Sequence, residues 1–326
     1  DARRQRQMCI RDSFKSDPYY QHQWHLNNRA QNNFATNAGN NGADLNVDTT
    51  IAAGYDGDGV TIAIIDSGTE IAHEDLVDNI LENQSYDFGT GDTDPTPLYH
   101  TSDHAHGTAV AGIAAARGWN DKGGRGVAPK AKLVAYNLLG GENLTEYSTT
   151  TNYIDALGNS AGGANTSIVD VFNMSFGNMG GSSFDTSGIP SSFENAFING
   201  TQVLRGGLGA IYVKSSGNSW YDSPNGWCYS GGVALTSTAF NEKFSCTIAS
   251  FDNSNTEPYL ISTASLNAKD ERSSYSTPGT SVWISGYGGE FGVSDPAVLS
   301  TDLHGCDKGF ASSTITNDTN CNYYHA

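Results

Sequence analysis

Residues 60–65, VTIAII, are apolar or β-branched without alternation. A strand with one wet face alternates polar and apolar residues, and a strand covered on both faces does not, so this run predicts a buried parallel strand. It stops at Asp66, and Gly68 then lets the backbone turn. In open α/β sheets, working groups gather beyond the carboxyl ends of the strands. Asp66 is therefore a turn residue or a functional carboxylate, and this stretch alone leaves both open.

The rest of the chain fits an α/β sheet. NVDTTIAAG, residues 46–54, reads as a short helix with a glycine C-cap. Further strands are expected at 131–137, 168–175, 209–215, 259–264 and 281–285, and helices at 145–157 and 192–205. Strands that alternate with helices predict a doubly wound, mainly parallel sheet with helices on both faces. Residues 1–16 are polar and mildly basic and read as an N-terminal leader, with one domain over 17–326. No repeat or inter-domain linker is evident.

Seventeen basic against 35 acidic residues give a net charge of −18. That balance argues against nucleic acid and anionic membranes as partners and suits basic substrates, cations or simple solubility. No apolar run approaches the roughly 20 residues of a membrane span. The five cysteines lack the short paired spacing of a zinc site. Cys228–Cys246 and Cys306–Cys321 each flank a polar, turn-rich segment and predict two local disulfides, hence an oxidising, secreted setting; Cys9 is left over.

His106-Gly107-Thr108 opens the small-residue run HGTAVAGIAAA. Together, IIDSG and HGTAVAG resemble the Asp and His motifs of the subtilisin-like serine proteases, with the order Asp then His that belongs to that fold. Neighbouring segments are similar to the kexin/furin-like branch and its bacterial relatives. The resemblance extends from about Asp17 to the last residue. It implies that Asp66 orients an imidazole and that His106 is the general base for a serine nucleophile. KSSGN, residues 214–218, resembles the branch's oxyanion segment, which makes Asn218 the amide donor. His73, His100 and His104 lack the HGT context and are expected to be solvated.

The nucleophile is the gap. The family places it in G-T-S-x-[SA]-x-P at the head of a helix, whereas Gly279-Thr280-Ser281 is followed by VWISGY, a strand-type sequence. Ser281 is thus a decoy. The expectation is a domain incomplete at its C-terminal end, without the serine and without the branch's P domain, and inactive alone. A propeptide or a C-terminal fragment could complete the fold as a partner.

The resemblance also implies Ca²⁺. Asp17, Asp75 and Asn120 match side-chain ligands of one site, with carbonyls from Arg117, Lys122 and Gly124; Asp87, Asp92 and Asp94 match a second. A third site is expected to be lost, since its acidic positions read Thr277, Asn178 and Met179. Asp252 matches an acid at the base of the primary specificity pocket, with Asp103, Glu142 and Glu146 at or near other acidic positions. They imply protein or peptide substrates cut after Arg or Lys. Two rivals are a catalytically dead peptide- or inhibitor-binding module and an acidic calcium-binding scaffold.

Overall fold

The computed structural model describes residues 17–32, 34–159, 163–177, 188–220, 245, 247–311 and 321–325, with the backbone alone at 228–230, 233–235 and 325. Its centre is a seven-stranded parallel sheet of β1 (Thr61–Asp66), β2 (Tyr86–Asp87), β3 (Lys132–Asn137), β4 (Val171–Met174), β5 (Ile211–Ser215), β8 (Leu260–Leu266) and β9 (Ile284–Tyr287), in the order β2-β3-β1-β4-β5-β8-β9. Two antiparallel pairs stand apart, β6 (Cys228–Ser230) with β7 (Val233–Leu235) and β10 (Leu299–Thr301) with β11 (Tyr323–His325). The helices are α1 (Val47–Ala52), α2 (Ser102–Ala115), α3 (Thr150–Ala156) and α4 (Ser191–Gly207), with short 3-10 turns between.

The unalternating run of β1 has a direct cause. Ala63 and Ile65 pack into one core with Tyr136, Phe172, Met174, Phe197 and Tyr212. Ile64 points the other way, into a second core with Leu76, Leu133, Ala111 and Ala115. Both faces are dry, so both parities must be apolar.

The small residues of α2 follow from close packing on two sides. A Cβ on Gly107 would meet the Gly68 carbonyl oxygen at 2.1 Å and Asp66 Cβ at 2.9 Å; one on Gly112 would meet Thr301 Oγ1 at 2.3 Å. The hairpin of β10 and β11 holds the outer side of the helix. Ser300 Oγ donates to the Ala109 carbonyl (2.6 Å) and Thr301 Oγ1 to that of Thr108 (2.7 Å). Cys306 and Cys321 are disulfide-bonded beside this hairpin, as their spacing predicts. Cys9, and the Cys228–Cys246 pairing, lie outside the described residues.

Expected and observed elements agree closely over β1, β3, β5 and α4. The expected strand at 281–285 begins only at Ile284, because 279–282 forms a turn with the Val282 amide bonded to the Gly279 carbonyl (3.2 Å). The β10–β11 pair is not among the strands the sequence predicts. Its strands are three residues long, too short to show a period.

Candidate active site

β1 neighbours β3 on one side and β4 on the other, so the sequence order of the strands reverses there. A crevice opens at such a switch point, beyond the carboxyl ends. Asp66 is the last residue of β1, and α2 brings His106 over it. His106 Nδ1 lies 2.8 Å from Asp66 Oδ1, which also accepts the Ser67 amide at 2.7 Å. The imidazole side chain keeps 44% of its surface exposed and the carboxylate 1%. A buried acid that holds one ring nitrogen leaves the other free to take a proton in the crevice. The Asp66 charge raises the His106 pKa above the ordinary histidine value, against an opposing effect of burial.

Asn218 sits on the same edge, beyond β5 and two strands from β1. β5 ends at Ser215, and Gly217 adopts φ +107°, a region open mainly to glycine. Thr277 staples the turn. Its amide donates to the Gly217 carbonyl (2.9 Å), its carbonyl accepts Ser216 Oγ (2.9 Å), and its hydroxyl accepts the Ser219 amide (2.8 Å). Thr277, whose position the resemblance assigns to a lost calcium acid, therefore shapes the loop that presents the exposed Asn218. Asn178 and Met179 lie outside the described residues.

Two of the three competing histidines are not solvated. His104 is buried, with Nδ1 2.7 Å from Thr101 Oγ1 and Nε2 2.9 Å from the Gly141 carbonyl. His73 is buried, with Nε2 3.0 Å from the Asn322 carbonyl, and burial pushes its pKa down to about 4. Both are structural because later segments cover them, which local sequence does not reveal; His100 is exposed, as expected.

The His104 bond also draws the 141–146 loop to the start of α2. Asp103 lies near His106, whose pKa its charge raises, while Glu142 and Glu146 lie along the loop, all three exposed. Asp252 is different. It is buried, and its Oδ2 accepts Lys214 Nζ at 2.8 Å while Oδ1 accepts the Ser254 amide and hydroxyl. A lysine inside a buried strand needs a partner and so signals one in the sequence.

The side chains expected at the first cation site lie close together. The 117–124 loop wraps Asp17 and Asp75: Asp17 accepts the Trp119 and Asn120 amides, and Asp75 accepts Asn120 Nδ2 (2.8 Å) and the Gly124 amide (3.0 Å). The Arg117 amide donates to the Asp75 carbonyl (2.7 Å) and the Lys122 amide to Asn120 Oδ1 (3.1 Å). Arg125 forms a fully buried ion pair with Asp17. Burial pushes the Asp75 pKa up to about 7, and the charges of Asp17 and Glu74 add to the rise. An oxygen donor set with a surplus of buried negative charge fits a hard cation.

The second acidic loop is not assembled in this way. Asp87 is buried and accepts the Gly89 and Thr90 amides and Asn137 Nδ2, while Asp92 and Asp94 are exposed and accept the Asp94 and Thr96 amides in turn. Among the described residues, no three His, Cys, Asp or Glu side chains gather in a metal-holding group. Ser281 lies just before β9, four strands from β1, or about 19 Å at the usual strand spacing, which supports its reading as a decoy.

A model of the subtilase family matches residues 57–324. The Aeromonas extracellular serine protease of Aeromonas sobria is 35% identical over 315 residues, covering 95% of this chain and 46% of that protein. Human furin is 33% identical over 233 residues, covering 70% of this chain and 26% of furin. Crystal structures of the Aeromonas sobria serine protease, alone and with its chaperone ORF2, superpose with a TM-score of 0.80 at 33% identity, over 95% of this chain and 51% of theirs. The chain spans less than half the length of these curated relatives. Likeness of this extent, carried on the same fold, settles the kinship: the chain belongs to the subtilase family.

Proposed function

We propose that these residues form the larger part of the catalytic domain of a secreted serine endopeptidase, with the nucleophilic serine supplied from outside the 326 residues. The observation that carries the reading is the contact of His106 with the buried Asp66 at the carboxyl edge of the sheet. In the completed site, His106 takes the serine proton as the oxygen attacks the scissile carbonyl carbon. Asp66 stays ionised and steadies the imidazolium, and the Asn218 amide donates to the oxyanion. Collapse of the tetrahedral species breaks the C–N bond, and His106 passes its proton to the leaving amine. Water then repeats the sequence on the acyl-enzyme.

Ca²⁺ belongs to the proposal at the first site only, held by Asp17, Asp75 and Asn120 with carbonyls of Arg117, Lys122 and Gly124. It would tie the N-terminal segment to the 117–124 loop. Secretion is supported by the Cys306–Cys321 bond and by the extracellular relative, and among the described residues no helix is long and apolar enough to cross a membrane. The chaperone bound to the Aeromonas sobria protease supports a partner protein that assists folding here too. The preference for Arg or Lys is not carried forward, because Asp252 already holds Lys214. Fluorophosphonate labelling tests the whole. This chain alone stays unlabelled, the protein extended through its next G-T-S reacts, and His106→Ala abolishes the reaction. An extended protein that folds and binds peptides without labelling favours the binding module instead.

A further inference from the structure

The Asn218 side chain has no hydrogen-bond partner among the described residues, so the backbone of its loop decides where the amide points. That backbone is tied to residues 275–277 on both sides of Asn218. Thr277 bonds to Ser216, Gly217 and Ser219, and the Trp220 amide donates to the Tyr275 carbonyl at 3.0 Å. The shape of one short segment therefore sets the aim of the donor.

Arg272 gathers that segment. Its Nη1 donates to the carbonyls of Ser273 (2.6 Å), Ser274 (3.1 Å) and Ser276 (3.4 Å). Three carbonyl dipoles turned toward one point repel one another, and a guanidinium at that point offsets the repulsion. β8 holds the turn from behind: the Ser273 amide donates to the Ser265 carbonyl (2.9 Å), and Ser276 Oγ accepts the Ser265 amide (2.9 Å). The same guanidinium lies against the indole of Trp220, with its central carbon 3.4 Å from the ring centroid. At that distance the cation is attracted to the ring face. One side chain thus shapes the turn that receives the loop and grips the loop two residues past the amide donor. A lysine ammonium is a point charge, without the flat face that stacks while the fork donates.

Resting on the endopeptidase reading, we infer that Arg272 is a positioning residue for the oxyanion: by gathering the 273–276 carbonyls and lying against Trp220, it fixes the loop that aims the Asn218 amide.

The test is a double-mutant cycle in the protein extended through its next G-T-S, with kcat and KM on a peptide amide measured per site titrated with fluorophosphonate. Arg272→Met should lower kcat by about 10- to 100-fold with KM changed less than about twofold, because a displaced donor forfeits part of what a deleted one does. In the Asn218→Ala background the same substitution should cost less than about twofold, since the group it acts through is gone. Arg272→Lys should fall with Arg272→Met, and the acid limb of the pH profile should stay in place, because His106 is not moved. Trp220→Leu leaves the carbonyl bonds intact and should lower kcat by several-fold, which also serves where Arg272→Met does not fold. Full kcat in any of these folded variants, a loss carried by KM alone, a displaced acid limb, or the same loss with and without the Asn218 amide overturns the inference. Failure of the endopeptidase reading shows separately, as an unaltered extended protein that resists fluorophosphonate, and it takes this inference with it.

Discussion

His106 Nδ1 lies 2.8 Å from Asp66 Oδ1 across 40 residues of sequence, with the acid buried and the imidazole open to the crevice. The acid sets the tautomer and orientation of the base, so Asp66→Asn should lower kcat of the complete enzyme by about 10⁴. Steady-state kinetics on a peptide amide checks this against the His106→Ala variant.

The same contact sets a pH dependence. The Asp66 charge raises the His106 pKa, and the base must be neutral to act. The acid limb of kcat/KM should therefore have its midpoint above the ordinary histidine value of about 6.5 and move down in Asp66→Asn. For stability the sign is opposite. The pair's contribution is complete below about pH 6.5 and disappears as pH rises through the raised value. Melting temperature against pH, with and without Asp66→Asn, reads that trend.

Gly107→Ala should damage position more than fold. The new methyl would stand 2.1 Å from the Gly68 carbonyl oxygen, so α2 must lift away from β1. The stability loss should be about 1–3 kcal/mol. A 1 Å displacement of His106 can cost about 10² in rate. A chemical denaturation curve and a kcat/KM measurement on the same preparation separate the two.

Chelation with EGTA should lower the melting temperature, and calcium should restore it. At a free calcium concentration near 100 Kd the stabilisation would be about 2.7 kcal/mol. Asn120→Ala, which removes a side chain that bridges to Asp75, should abolish the calcium-dependent part, while Asp92→Asn, in the loop whose acids close separate turns, should leave it intact.

Replacing both Cys306 and Cys321 by serine should destabilise the chain by about 3 kcal/mol, the entropy of releasing a loop of this size. The closed loop spans a separation of 15 residues and anchors the hairpin over α2. Urea unfolding of oxidised, reduced and substituted protein measures it.

The sheet, the strand-end acid and the histidine-led helix were legible from the residues alone. Those signals are local: an unalternating run needs two dry faces, and a helix built of glycine and alanine needs close neighbours. Tertiary structure alone decided which charges are free. Asp252 looked like an open acid until β5 placed Lys214 against it, and Thr277 looked like a lost ligand until it stapled the Asn218 loop. Whether a carboxylate is available depends on the donors within 3 Å or so, and those come from segments far away in the chain.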